Sequence, residues 1–218
     1  NDLAHPAVAT LALLRSGSTP AAGPYTEQVR KGLEFVLRHV EQSEPQGLAL
    51  ATIQGTQIQR KLGPYIDTFL TSRLLGELDG ETGDPELNAR VRDALAFCID
   101  HIETNQAEDG SWNVSGGWAP IHRTSLASQS LAVAEKKGVD VDKRVVDRVD
   151  LYAKNIAKGI ASAPASAGIA LYQDAQVLEQ LSRSEGSREA NEQEIARVRA
   201  KLSDSRFQAG FGSMGGEE

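Results

Sequence analysis

The sequence predicts an all-α fold, and three observations support this prediction. Apolar residues recur at helical spacing in eight stretches of the 218-residue chain. No stretch of four to eight residues shows the alternation and β-branched enrichment that are typical of a strand. Hydrophobic residues make up 40% of the chain, which is enough to build the core of a globular protein.

The eight stretches form four pairs, in each of which a helix rich in small residues precedes a more charged one. The first helices of the pairs are predicted over 3–16, 65–78, 122–136 and 169–184, and the second over 25–42, 86–103, 140–157 and 189–202. A glycine follows each first helix, where a left-handed C-cap favours that residue: Gly17, Gly80, Gly138 and Gly186. The repetition indicates stacked helix hairpins, because a single hairpin cannot bury its own apolar face.

Charge and composition argue against two classes of partner. The net charge of −7 gives no basic surface for a phosphate backbone, so we expect no nucleic-acid partner. No apolar run approaches the roughly 18 residues that a membrane span requires. Residues 1–15 show neither an initiator Met nor a signal pattern, so we expect a soluble chain without a targeting segment, whose natural start lies upstream.

The single cysteine, Cys98, excludes an internal disulfide and any metal site built from several cysteines. It lies on the apolar face of the predicted helix over 86–103, so we expect it to be a small core residue. His101 follows one turn later, but two ligands do not make a structural zinc site. We therefore expect neither a metal nor another cofactor.

The linker between the second and third pairs reads Gln-Ala-Glu-Asp-Gly-Ser-Trp, from Gln106 to Trp112. It resembles the Gln-Trp motif of squalene and terpene cyclases and their prenyltransferase relatives. The resemblance implies an α/α toroid with inner and outer helix layers. Residues 1–218 would form one such domain, incomplete at both ends, with repeats near 1–58, 59–117, 118–165 and 166–212. Gln106, Asp109, Gly110 and Trp112 would then have a structural role at the joint between hairpins.

The resemblance also implies that the inner helices begin around the mouth of a central funnel, where the family places its active sites. The residues at those starts, called here the mouth residues, are His5, Asp67, Thr68, His122, Arg123, Tyr172, Gln173 and Asp174. Asp67, His122 and Asp174 are candidates for acid–base catalysis, and Thr68, Arg123, Tyr172 and Gln173 for ligand binding. Alternatively, the three catalytic candidates are helix-start residues that satisfy exposed backbone N–H groups.

The catalytic signatures of the family are not matched. The string Asp-Val-Asp-Lys at 140–143 departs from the Asp-x-Asp-Asp of class II cyclases, and the Asp-x-Cys zinc motif of prenyltransferases is absent. With 5 Phe, 4 Tyr and 2 Trp, an aromatic lining for carbocations is hard to build. We therefore expect a binding or scaffolding module with a protein partner, a second copy or a hydrophobic small molecule as its ligand. The alternative is an isoprenoid- or lipid-modifying enzyme with its site at the mouth residues.

Overall fold

The computed structural model describes residues 3–50, 53–112 and 120–162 and the positions 192, 196, 199 and 200, with the side chains at 61, 120–122 and 158–162 left undescribed. All regular structure in these residues is helical, which confirms the predicted all-α class for this part of the chain. The helices are α1 (Ala4–Arg15), α2 (Thr26–Glu41), α3 (Gln57–Leu62), α4 (Ile66–Leu78), α5 (Pro85–Thr104), α6 (Pro120–Lys136) and α7 (Lys143–Ser162).

Six of these helices correspond to predicted ones. Gly17, Gly80 and Gly138 have positive φ angles of 88°, 85° and 76°, as the predicted left-handed caps require. α7 begins later than predicted, because Asp142 occupies the position before it and accepts a 2.8 Å hydrogen bond from the backbone N–H of Arg144. The predicted helix over 169–184 and Gly186 lie outside the described residues. Of the predicted helix over 189–202, only positions 192, 196, 199 and 200 are described, and they are helical.

α3 lies between the first and second predicted pairs of helices, where the sequence analysis predicts no helix. The side chain of Thr56 accepts a hydrogen bond from the N–H of Gln59, and the side chain of Gln59 accepts one from the N–H of Thr56. This reciprocal capping box stabilises the start of a six-residue helix that is too short to form by itself.

The chain divides into two compact units, one of Asn1–Ala107 with Trp112–Val145 and the other of Glu108–Ser111 with Val146–Glu218. In the first unit, α4 packs against α1, α3, α5 and α6. Eleven of its thirteen residues are buried in consequence. The helices approach closely here, since a Cβ atom at Gly76 would lie 2.5 Å from the side chain of Val133 in α6.

α2 and α5 each bury one apolar side and expose a charged one. The buried side of α2 contains apolar residues at helical spacing: Val29, Leu33, Val36 and Val40. On the exposed side, Arg90 of α5 lies 2.9 Å from Glu34 and 2.9 Å from Glu41 of α2. The hydrogen bond from Arg90 lowers the pKa of Glu34 from its ordinary value.

α1 is covered less completely than α4. Only Ala4, Ala7 and Thr10 of its twelve residues are buried. Val8 is 45% exposed, and Ala9 and Ala12 are also exposed. One side of α1 therefore presents small apolar residues to solvent.

Candidate functional site

Asp67 has the most informative surroundings of the mouth residues. Its side chain is 1% exposed, in the first turn of α4. Oδ1 accepts a 2.8 Å hydrogen bond from the backbone N–H of Ala4, and Oδ2 accepts one of 2.5 Å from Nε2 of Gln59. The residue before α1 is Leu3, whose side chain cannot cap a helix. Asp67 therefore supplies the missing cap of α1, and its negative charge suits the positive end of the helix dipole.

Gln59 is the residue of this site that the sequence reasoning missed. Its side chain is 3% exposed. Besides donating to Asp67, Nε2 donates a 3.3 Å hydrogen bond to the carbonyl of Ile53, while Oε1 accepts one of 3.0 Å from the N–H of Thr56. The signal that could have revealed it is the Thr-x-x-Gln pattern at Thr56, which is typical of a capping box.

Thr68 and Arg123, predicted to bind ligand, are both buried. The hydroxyl of Thr68 donates a hydrogen bond to the carbonyl of Leu48. Arg123 is 2% exposed and packs against Gly63, where a Cβ atom would lie 2.2 Å from Cδ of the arginine. Gly63 also has a φ angle of 110°, a backbone conformation that favours glycine, and a side chain at this position would displace Arg123.

The other mouth residues are less well placed or lie outside the description. His5 is exposed on α1. His122 belongs to α6, but its side chain is outside the described part. Tyr172, Gln173 and Asp174 also lie outside the described residues. The structure therefore joins Asp67 to Gln59 and to the start of α1. Of the predicted catalytic trio, it describes the side chain of Asp67 alone.

The Gln106 and Trp112 side chains both bond to backbone carbonyls of helices. Nε2 of Gln106 donates a 3.0 Å hydrogen bond to the carbonyl of Val145, in the first turn of α7. Nε1 of Trp112 donates one of 2.7 Å to the carbonyl of Ile102 in α5, and the indole is 1% exposed. The backbone N–H of Trp112 donates to the hydroxyl of Thr124 in α6 at 3.3 Å. These contacts tie the end of α5 to the starts of α6 and α7.

Asp109 and Gly110 form the tight turn of the same linker. Oδ1 of Asp109 accepts a 2.9 Å hydrogen bond from the N–H of Ser111. Gly110 has a φ angle of 86°, and a Cβ atom on it would lie 2.2 Å from the carbonyl oxygen of Arg148 in α7. Any residue other than glycine would clash with this helix.

Cys98 is fully buried in α5, as predicted, and burial raises the pKa of its thiol. His101 is 2% exposed, and its ring lies 4.2 Å from the ring of Phe97. In the described ranges, no three His, Cys, Asp or Glu side chains are grouped so that they could hold a metal ion. Cys98 is therefore placed as a core side chain, not as an exposed nucleophile.

An acidic group surrounds Glu103, near the end of α5. Burial raises the pKa of its carboxyl, and the negative charges of Asp142, Asp100 and Asp140 raise it further. A 2.6 Å hydrogen bond from the N–H of Asp142 acts in the opposite direction. The string at 140–143 thus lies at the start of α7, where Asp142 caps the helix.

A comparison with family models, with curated proteins and with solved structures finds no match to the chain. Within the part of the chain that the structure describes, no helix combines the length and the apolar character that a membrane crossing needs.

Proposed function

We propose that this chain is a binding or scaffolding module made of stacked helix hairpins, of the prenyltransferase and squalene-cyclase repeat type and with their toroid arrangement. The observation that carries the proposal is the pair of hydrogen bonds accepted by Asp67, the best-described of the catalytic candidates. Its carboxylate holds the start of α1 and the side chain of Gln59. It is a structural group in this proposal.

The alternative, a general acid or base at Asp67, fits these surroundings poorly. Such a group must place an oxygen within hydrogen-bonding distance of the substrate. Asp67 is 1% exposed, and each of its oxygens already accepts a hydrogen bond from the fold. Moving it towards a substrate would leave the N–H of Ala4 and the amide of Gln59 without this acceptor, at a cost of about 1–3 kcal/mol each.

The linker from Gln106 to Trp112 supports the hairpin-repeat part of the proposal. Its two characteristic side chains donate hydrogen bonds to backbone carbonyls of α7 and α5. Contacts of this kind hold successive hairpins together. They supply a reason for the Gln-Trp pattern that does not require a substrate.

The exposed side of α1 supports binding to another protein. α4 occupies the corresponding place in the second hairpin and is buried on nearly every side by its neighbours. α1 has fewer neighbours and leaves Val8, Ala9 and Ala12 exposed. Small apolar residues allow a second helix to approach closely, so we propose an apolar helix of a partner as the ligand.

The test combines partner identification with a charge introduced on α1. Chemical crosslinking followed by mass spectrometry identifies a partner, and titration calorimetry with the purified partner measures its Kd. We expect Val8→Glu to weaken binding at least about tenfold, since a charge would be buried in an apolar contact. Gln28→Glu, which adds the same charge at an exposed position of α2, is the control and should change the Kd less than about twofold.

Equal effects of Val8→Glu and Gln28→Glu would reject α1 as the binding surface. Conversion of farnesyl diphosphate by the purified chain, lost on Asp67→Asn while the fold is retained, would reject the non-catalytic module in favour of the lipid-modifying enzyme.

A further inference from the structure

Residues 53–62, called here the strap, include α3 and have an unusual pattern of burial. Ile53, Gln54, Gly55, Gln57 and Arg60 are all exposed. Gln59, at 3% exposure, is the one fully buried residue among the strap side chains that the structure describes. Ile58 and Leu62 are only half-buried, so the strap places one polar side chain, and no fully buried apolar one among those described, into its unit.

Glycines with positive φ angles lie near both ends of α3. Gly55 has a φ angle of 77° and Gly63 one of 110°. Glycine changes its backbone angles at less steric cost than any other residue, so these positions suit hinges. Upstream of the strap, Leu48 and Leu50 are buried, and Leu48 is held by the hydroxyl of Thr68. The chain is thus fixed before the first hinge and again after the second.

Gln59 stabilises the start of α3 and also links α3 to α4. Its Oε1 completes the capping box with Thr56, and its Nε2 donates to Asp67. The bond to Asp67 therefore links the capping box of α3 directly to α4. Segments with few buried apolar contacts open at a lower free energy than the whole fold.

Two charged side chains lie against the strap and the glycine that follows it. Asp67, at 1% exposure, meets Gln59, and Arg123, at 2% exposure, packs against Gly63. α3 itself packs on α4 and α6, the helices that carry these two residues. α3 thus lies against the two helices that carry a buried carboxylate and a buried guanidinium.

We propose that the strap is a lid, which opens about Gly55 and Gly63 when the hydrogen bond between Gln59 and Asp67 breaks, and which controls access to Asp67 and Arg123. The proposal does not depend on which ligand the chain binds. It goes beyond the binding function because it assigns a conformational step to one hydrogen bond.

The test is amide hydrogen exchange by NMR on the purified chain. The reporters are the N–H groups of Arg60 and Gly63, which donate to the carbonyls of Thr56 at 2.9 Å and of Gln59 at 2.7 Å. In the wild type we expect both to exchange faster than the amides of α4 and α5, with weak dependence on urea, because a local opening exposes little surface.

Gln59→Glu separates the two roles of the residue. A glutamate can still accept the hydrogen bond from Thr56, but its carboxylate faces that of Asp67. We expect the exchange rates of Arg60 and Gly63 to rise about tenfold or more, since a hydrogen bond to a charged group is lost. Gln57→Glu, with the same charge at an exposed position of α3, should change these rates less than about twofold.

Two results would overturn the lid. One is exchange of Arg60 and Gly63 in the wild type only through global unfolding, with the same urea dependence as α5. The other is an equal acceleration of α5 and the strap by Gln59→Glu. The wild-type measurement decides the matter even if the Gln59→Glu variant fails to fold.

Discussion

The carboxylate of Asp67, in the first turn of α4, accepts a 2.8 Å hydrogen bond from the backbone N–H of Ala4, the first residue of α1. The two residues lie 63 positions apart in the sequence. α1 has Leu3 at its N-cap and no acidic residue in its first turn, so its start depends on a carboxylate from another hairpin. This contact links the folding of the first hairpin to that of the second.

The turn at Gly110 should be intolerant of any side chain. We expect Gly110→Ala to lower the free energy of unfolding by about 3 kcal/mol or more, because its Cβ would lie 2.2 Å from the carbonyl oxygen of Arg148. Gly138→Ala is the matched control, with a φ angle of 76° and nothing within 4 Å of the added Cβ. It should cost only about 1 kcal/mol, from backbone strain. Urea denaturation measures both values, and equal losses would contradict the close approach at Gly110.

Two buried serines should respond in opposite directions to replacement by alanine. Oγ of Ser72 in α4 has no hydrogen-bond partner within the described part of the chain, whereas Oγ of Ser130 in α6 donates to the carbonyls of Phe69 and Leu126. Ser72→Ala should raise the free energy of unfolding by about 1 kcal/mol and Ser130→Ala should lower it by about 1 kcal/mol. Both changes raise helix propensity equally, so the difference reports the hydrogen bonds. A lower free energy of unfolding for Ser72→Ala would contradict this, since it would mean that Oγ of Ser72 makes a hydrogen bond in the folded protein.

The stability contribution of Glu103 should depend on pH. Its pKa in the folded state is raised above the ordinary value of 4.5, so the protonated form is favoured by folding. The associated stability is complete below pH 4.5 and is lost as the pH rises through the raised value. A Glu103→Gln side chain would still accept the hydrogen bond from the backbone N–H of Asp142, and it would carry no charge.

We therefore expect Glu103→Gln to be more stable than the wild type at pH 7 by about 0.5 kcal/mol, a small value because solvent screens this half-buried group. The gain should disappear below about pH 4. Thermal unfolding across this pH range provides the measurement, and Glu44→Gln, at an exposed site, is the control. A gain at Glu103 that is the same at pH 3 and pH 7 would exclude a charge effect.

Helical periodicity in the sequence predicted the longer helices well. The bounds of five of them lie within two residues of the predicted ones: α1, α2, α4, α5 and α6. It did not predict α3, because six residues carry too little periodicity and lie between glycines and prolines. The Thr56 capping box was the local signal for it. Short helices need such cap patterns to be recognised.

The role of Asp67 could be predicted only in part. Its place at a helix start gave the alternative interpretation that it satisfies backbone N–H groups, but the helix whose N–H it satisfies is α1, not α4. No local pattern connects residues 63 positions apart, so the partner follows only from tertiary packing. The same holds for the close approach at Gly63, where an added Cβ would meet the side chain of Arg123 on another helix.

The stability of Asp67→Ala tests the central claim most directly, because structural and catalytic roles predict different outcomes. A structural carboxylate leaves the N–H of Ala4 and the amide of Gln59 without this acceptor when it is removed, so we expect the free energy of unfolding to fall by about 3 kcal/mol. Asp93→Ala, at an exposed position of α5, should change it by less than about 0.5 kcal/mol. Catalytic residues are often held at a cost in stability. An Asp67→Ala variant as stable as the wild type, or more stable, would contradict the structural role and favour an active site.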